Sequence, residues 1–354
     1  MGNSHSHNHS NTKNTREPRR HSFHFDMHIH HAPKQPQPIP DSVDGDHFKV
    51  GSRLGAGSFG VIHEGVNTEN DQLIAIKFES DHARMPQLRE EHRIYEMLAG
   101  APGFPASYYF GHENGYNILV MDVLGPNLDD LFRMCDKQFS PKTVCMIAKT
   151  MLHLLQTVHD LGLIYRDVKP DNFLIGRAGC NNPKQIYMID FGMSKPYRDP
   201  QTGCHIPFRE RGCISGTARY MSLHAHAGGE QSRRDDLESM GYVLLYLLRG
   251  SLPWQGVKAS SEEKKYEKIE EIKHHTPIAQ LCANHPVEFS IFLHYVRKLK
   301  FDEAPDYDFC ESLFDKALKR IGATDDGIYD WTLLNDGKGW ESCEPKPEPL
   351  MLTY

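Results

Sequence analysis

The chain has 354 residues, 39% of them hydrophobic and 25% charged, with a formal net charge of −7. That balance suits a globular core and argues against a general nucleic-acid binder. Eight cysteines, at 135, 145, 180, 204, 213, 282, 310 and 343, include no C-x-x-C pair, so neither a zinc site nor a disulfide framework is expected. No run reaches the roughly 18 apolar residues of a membrane span, and the N-terminus lacks the apolar centre of a signal peptide. The expected location is the cytoplasm, with the cytosolic face of a membrane or the nucleus as further addresses.

In chain order, residues 1–46 are rich in His, Asn, Ser, Pro and Arg, contain little that could form a core, and read as a disordered tail. The composition shifts near His47-Phe48-Lys49-Val50, and short β-like runs separated by glycines and turn residues continue to Val123. After Gly125-Pro126 the pattern turns helical. Ser140-Pro141 reads as an N-cap followed by Pro at the first helical position. Val144, Ile147, Met151, Leu154, Leu155 and Val158 then keep a helical period until Gly162. The pattern predicts an α+β domain over 47–333, with a small β-rich lobe over 47–123, a larger helical lobe over 124–333, and a short C-terminal tail over 334–354.

Gly55-Ala56-Gly57-Ser58-Phe59-Gly60-Val61 has the form G-x-G-x-x-G, which alone is weak evidence. A dinucleotide-binding unit would need a helix next. Here Val61 to Val66 read as a strand, a turn follows at Thr68 to Asp71, and Leu73 to Lys77 form a second strand. That is a hairpin over an anion, whose missing side chains let backbone N–H groups approach phosphate oxygens. Lys77 on its own would be an ordinary strand-edge lysine with a solvated head. On the helix expected over Pro86 to Leu98, however, Glu91 shares a face with Leu88, Tyr95 and Leu98. An inward carboxylate is costly to bury alone, and Lys77 is its natural partner.

Tyr165-Arg166-Asp167-Val168-Lys169-Pro170-Asp171-Asn172 follows the long helix, and Ile189-Asp190-Phe191-Gly192 follows a short strand-like run. In this order after the glycine turn and Lys77, they match the catalytic loop and the D-F-G element of protein kinases. Phosphoryl transfer has a loose transition state and depends on positioning and charge neutralisation. Asp167 is then expected to orient the acceptor hydroxyl and take its proton, and Lys169 to offset charge on the transferring group. Asn172 and Asp190 supply oxygen ligands suited to Mg2+. Lys169 is the serine/threonine-type residue at its position. Tyr165 departs from the usual histidine and is expected to support the loop as a large aromatic.

Over roughly residues 48–333 the chain resembles the casein kinase I family, in its membrane-associated branch. The resemblance is carried by Leu54 to Val61, Pro86-Gln87-Leu88, Leu124-Gly125-Pro126, Tyr165 to Leu174, His205 to Glu210, Gly216 to Tyr220, Glu230 to Ser239 and Gly250 to Gly256. It implies a bilobal kinase fold, ATP and Mg2+ as cofactors, protein substrates and a monomeric enzyme that does not bind nucleic acid. It places Leu54, Gly55, Ala56, Gly57, Ser58, Phe59, Gly60, Val61, Ala75, Lys77, Met121, Val123 and Leu124 around ATP. It further implies a preference for Ser or Thr three residues after an acidic or phosphorylated residue. Arg219 and Lys265 match two residues of the pocket that reads that anion. The third position is Gly212, where Arg211 next door is expected to substitute. Ser222-Leu223-His224 stands where the family has Ser-Ile-Asn, so His224 departs from the pattern. Asp236 is expected to anchor the catalytic-loop backbone, with Asp235 as a helix N-terminal charge. A pseudokinase scaffold is the alternative, and it predicts loss of Lys77, Asp167, Asn172 or Asp190, all of which are present.

Met1-Gly2-Asn3-Ser4-His5-Ser6 fits the N-myristoylation pattern at Gly2. One acyl chain binds membranes only marginally, and Lys13, Arg16, Arg19 and Arg20 could add the second signal on an anionic surface. The histidines between 5 and 31 read as a polar low-complexity tail, with no rigid frame to fix a metal.

Overall fold

The structure, a computed structural model, describes residues 38–57, 60–177, 182–210 and 214–342. The N-terminal lobe is a six-stranded antiparallel sheet in the order β1-β2-β3-β4-β6-β5. Its strands are β1 (Ser42–Val43), β2 (Phe48–Gly57), β3 (Gly60–Asn67), β4 (Leu73–Ser80), β5 (Ser107–Glu113) and β6 (Tyr116–Asp122), with helix α1 (Leu88–Met97) between β4 and β5. β4 lies between β3 and β6, and its residues Ile74 to Glu79 are all buried. Ile74, Ile76 and Phe78 pack on one side with Val43, Phe48, Ile118 and Val120. Side chains alternate along a strand, so Ala75, Lys77 and Glu79 point the other way. A strand covered on both faces reads as an unbroken apolar run, as Ile74-Ala75-Ile76 does.

Two boundaries differ from the sequence expectation. The sheet starts before residue 47: β1 pairs with Phe48 and Lys49 and buries Val43. A two-residue edge strand carries no periodicity, so the composition shift was the later signal. The fold also continues past 333, where Leu334 and Trp340 pack against the main core. Gly2, the basic and histidine-rich residues of the N-terminus, and residues 343–354 lie outside the described residues.

The C-terminal lobe holds α2 (Leu128–Met134), α3 (Pro141–Asp160), β7 (Leu163–Ile164), β8 (Phe173–Ile175), β9 (Ile186–Met188) and β10 (Lys195–Pro196). These are followed by α4 (Leu223–His226), α5 (Arg233–Arg249), α6 (Glu262–His275), α7 (Ile278–Leu281), α8 (Val287–Val296), α9 (Tyr307–Arg320) and α10 (Leu334–Gly337). α3 starts as its sequence dictates: the Ser140 hydroxyl accepts the Thr143 N–H and Pro141 opens the helix. All six of its periodic apolar residues are buried. α5 is buried from Asp235 to Leu248, with Arg233, Arg234, Ser239 and Arg249 only partly covered, and it stops at Gly250, whose φ of 84° suits glycine. Among the described residues no helix is long and apolar enough to cross a membrane.

Candidate active site

β2 and β3 form the expected hairpin, with Gly57 paired to Gly60 across the turn. The two glycines at its ends serve different ends. Gly60 has φ +147°, and a Cβ there would lie 1.9 Å from the Phe78 carbonyl oxygen, so the sheet itself demands glycine. Gly55 has no such requirement: a Cβ would meet nothing within 4 Å. Its bare backbone leaves room that the protein does not use, which fits the approach of a phosphate. Ser58 and Phe59 fall outside the described residues. Leu54 is exposed, Val61 half-buried, and Ala75 pairs with Met121 between β4 and β6. Met121 and Val123 are buried and Leu124 is partly exposed, where β6 runs out toward the C-terminal lobe.

Lys77 Nζ lies 2.6 Å from Glu91 Oε2 and 3.3 Å from Asp190 Oδ1. α1 brings Glu91 there on its buried face, with Leu88, Ile94 and Tyr95. Burial works against the Lys77 ammonium, but the carboxylates of Asp190 and Glu91 outweigh it and raise its pKa above the ordinary lysine value. Burial likewise opposes ionisation of Asp190, and the charges of Lys77 and Lys169 more than offset it, holding that carboxyl below its usual range.

Two residues hold this arrangement: Glu79, which sequence reasoning passed over, and Tyr95, which it placed on the face of Glu91 without a part in the site. Glu79, two positions along β4 from Lys77, is buried and accepts the backbone N–H groups of Gln87 (2.6 Å) and Leu88 (3.1 Å). Its second oxygen accepts from Asn117 Nδ2 at 3.0 Å. Gln87, at the N-cap position of α1, makes no side-chain capping bond, so a carboxylate from the sheet does that work. Tyr95 accepts the Asp190 N–H at 3.1 Å and sets its ring edge against Phe191, centroid to centroid 5.1 Å. Phe191 in turn meets Tyr165 at 5.5 Å.

In the catalytic loop, Asp167 is engaged at both oxygens. Lys169 Nζ lies 2.7 Å from Oδ2, and the Thr217 hydroxyl donates to Oδ1 at 2.8 Å. Asn172 Nδ2 donates to the Asp167 carbonyl at 3.0 Å and to Oδ2 at 3.3 Å. Asp236 accepts the N–H groups of Tyr165 (2.8 Å) and Arg166 (2.7 Å), as expected of an anchor. It also bonds His159 Nε2 at 2.9 Å. These bonds sustain a positive φ of 71° at Arg166. Tyr165 is fully buried and donates to the Ile189 carbonyl at 2.6 Å, so the aromatic departure from histidine ties the catalytic loop to the strand before Asp190. Asp235 does more than expected: its carboxylate accepts the Ser232 N–H in a capping box and the Ser222 hydroxyl at 2.6 Å.

The donor set fits Mg2+. Asp190 is held ionised, and the amide nitrogen of Asn172 is committed to Asp167, which leaves its oxygen as the ligand-capable atom. Two protein oxygens suit an ion that keeps waters and shares substrate phosphates.

Of the anion-site residues, Arg219 stacks over the rings of Tyr220 (5.6 Å) and Tyr246 (5.7 Å). Lys265 sits in the first turns of α6, its Nζ 3.3 Å from Glu262. Arg211 and Gly212 lie outside the described residues. His224 leaves the local packing regular: Ser222 caps α4, and the His224 carbonyl accepts the Gly229 N–H.

A lysine–glutamate pair joining sheet to helix, an ionised aspartate at that lysine, and a second aspartate fixed after the long helix together make the apparatus of phosphoryl transfer. A model of the protein kinase domain matches residues 48–324, and the chain is a protein kinase. Casein kinase I homolog 2 of Schizosaccharomyces pombe is 60% identical over 301 residues, covering 85% of this chain and 69% of that protein. Casein kinase I homolog 3 of the same yeast is 57% identical over 86% of this chain and 70% of its own length. Casein kinase I homolog 2 of Saccharomyces cerevisiae is 52% identical over 86% and 56%. The chain belongs to the casein kinase I family and is a serine/threonine kinase of that type, with ATP as phosphoryl donor and protein as acceptor.

Proposed function

We propose that the chain transfers the γ-phosphoryl group of Mg-ATP to Ser or Thr lying three residues after an acidic or phosphorylated residue. The observation that supports it most is the convergence of Glu91 and Asp190 on Lys77, at 2.6 and 3.3 Å, beside an Asp167 fixed at both oxygens. Lys77, held by Glu91, orients the ATP phosphates under the glycine turn, and Ala75, Met121, Val123 and Leu124 receive the base. Asn172 and Asp190 hold Mg2+, which supplies charge neutralisation on the phosphates. Asp167 aligns the acceptor hydroxyl and takes its proton, and Lys169 offsets charge at the transferring group.

Substrate choice rests on Arg219, Lys265 and Arg211. A guanidinium stacked on two rings is oriented before the substrate arrives and suits phosphate oxygens. The N-terminus adds membrane contact at the cytosolic face, through acylation of Gly2 and the basic residues at 13–20.

The test is phosphate transfer to two peptides that differ only three residues before the target serine, phosphoserine in one and alanine in the other. The account expects a preference for the phosphopeptide that Arg219→Ala removes. Equal use of both by the wild type would reject the anion site and leave the kinase.

A further inference from the structure

Residues 217–221 lead into α4 and touch the catalytic loop. Thr217 bonds Asp167, and Arg219 is the proposed anion contact. The segment is one turn, closed by the Tyr220 and Met221 N–H groups on the Thr217 carbonyl (2.9 and 3.0 Å), and its carbonyls at Ala218, Arg219 and Met221 are held by side chains. Lys273 Nζ donates to the carbonyls of Ala218 (2.8 Å) and Met221 (2.6 Å), and Trp254 Nε1 donates to the carbonyl of Arg219 (2.7 Å). His226 Nε2 lies 3.1 Å from the Ala218 carbonyl and 3.0 Å from Lys273 Nζ.

Lys273 is the unusual member. It is 0% exposed, on a helix that otherwise buries only Ile269. Among the described residues it makes no ion pair; its head rests over the rings of Tyr242 (5.0 Å) and Trp254 (5.3 Å), and burial pushes its pKa well down despite the carboxylates of Glu238 and Glu270. Burying an amine head without an ion pair is costly whichever protonation state it takes, and an apolar side chain of the same length would fill that aromatic pocket at less cost. Stability is therefore a poor reason for a lysine here. What its head adds, and a methionine could not, is two bonds to the segment between Thr217 and α4.

We infer that Lys273, together with Trp254, is a positioning residue for the protein substrate, fixing the backbone of 218–221 so that Thr217 and Arg219 meet the incoming peptide. The inference rests on the proposed reading that this segment faces the peptide. Among the described residues α6 makes no hydrogen bond or ion pair to Lys77 or Asp190, so it acts on the reaction through the segment that Thr217 ties to Asp167 and not through the nucleotide.

The experiment uses the full chain with Lys273→Met, which keeps the length of the stem and removes the donors. Three rates are measured: ATP hydrolysis without peptide, and transfer to the phosphoserine peptide and its alanine control. The expected result is a KM for both peptides raised about ten-fold, with KM for ATP and the peptide-free rate changed less than about two-fold. Unchanged peptide KM in folded K273M overturns the inference. So does an equal fall of all three rates with every KM constant, since that is the signature of a lost folded fraction. A wild type without preference for the phosphopeptide, combined with raised KM for both peptides in K273M, would reject the anion reading and keep this one. If K273M does not fold, Trp254→Phe decides in its place. That variant withdraws the bond to the Arg219 carbonyl and leaves Lys273 intact; a raised peptide KM supports the inference and an unchanged one overturns it.

Discussion

Replacing Glu79 with alanine strips three donors of their partner at once: the N–H groups of Gln87 and Leu88 and the amide of Asn117. Hydrogen bonds to a charged acceptor contribute about 1.5–3 kcal/mol each, and lost helix caps cost about 0.5–2 kcal/mol. Leu88 is buried, whereas Gln87 is partly exposed and water can serve its N–H. A total of about 3 kcal/mol follows, roughly 6 °C in Tm at about 2 °C per kcal/mol for a domain of this size. The functional consequence runs through α1. Glu91 lies one turn beyond Leu88, so a frayed helix start loosens the 2.6 Å contact to Lys77 and with it the hold on Asp190. Glu79→Ala should raise KM for ATP and lower kcat on every peptide alike, with faster amide exchange over 87–92. Glu79→Gln keeps one acceptor oxygen and should recover part of both. The assay is thermal unfolding with and without Mg-ATP, alongside steady-state transfer. A folded Glu79→Ala with wild-type Tm and wild-type KM for ATP would refute the reasoning.

The two hairpin glycines should separate stability from binding. Gly60→Ala puts a Cβ 1.9 Å from the Phe78 carbonyl at a left-handed φ and should unfold the hairpin, seen as a Tm several degrees lower. Gly55→Ala meets nothing within 4 Å, so Tm should hold while KM for ATP rises about ten-fold; a stable G55A with unchanged KM would deny the phosphate its place there. His226 offers a pH test. Burial, with Lys273 beside it, pushes its pKa down to about 3 from 6.5. Between those values the unfolded chain binds more protons, so the stability its neutral form contributes is present above pH 6.5 and lost as the pH falls toward 3. At pH 5 the loss amounts to about 2 kcal/mol. Urea unfolding at pH 7 and pH 5 should therefore show a larger drop for the wild type than for His226→Gln, and parallel drops would contradict the assignment.

Where chemistry was written into consecutive residues, the sequence was readable. The glycine turn, the loop around Asp167 and the Asp190-Phe191-Gly192 triplet are short strings whose spacing is the mechanism. Glu91 was legible from helix geometry alone, because it falls on the same face as Leu88 and Tyr95. Glu79 was not, since two of its partners are backbone N–H groups at the start of a helix, which carry no residue identity, and the third, Asn117, lies 38 positions away on another strand. Lys273 was hidden differently: Glu262 to His275 is mostly polar, and the residues that bury its head, Trp254 and Tyr242, come from a loop and another helix. Asp235 looked like one of two acidic residues at a helix start; its capping bond to the Ser232 N–H and its contact with Ser222, thirteen positions earlier, distinguish it.

The most direct measurement is transfer of ³²P from Mg-ATP to casein by the wild type and by Asp167→Asn, with ATP binding followed in both. The account predicts efficient transfer by the wild type and a fall of at least about a hundred-fold in Asp167→Asn, with ATP affinity little changed, because Asp167 acts on the acceptor hydroxyl while Lys77 and Asp190 face the nucleotide. A wild type that binds ATP and transfers nothing, or an Asp167→Asn variant as fast as the wild type, would contradict it.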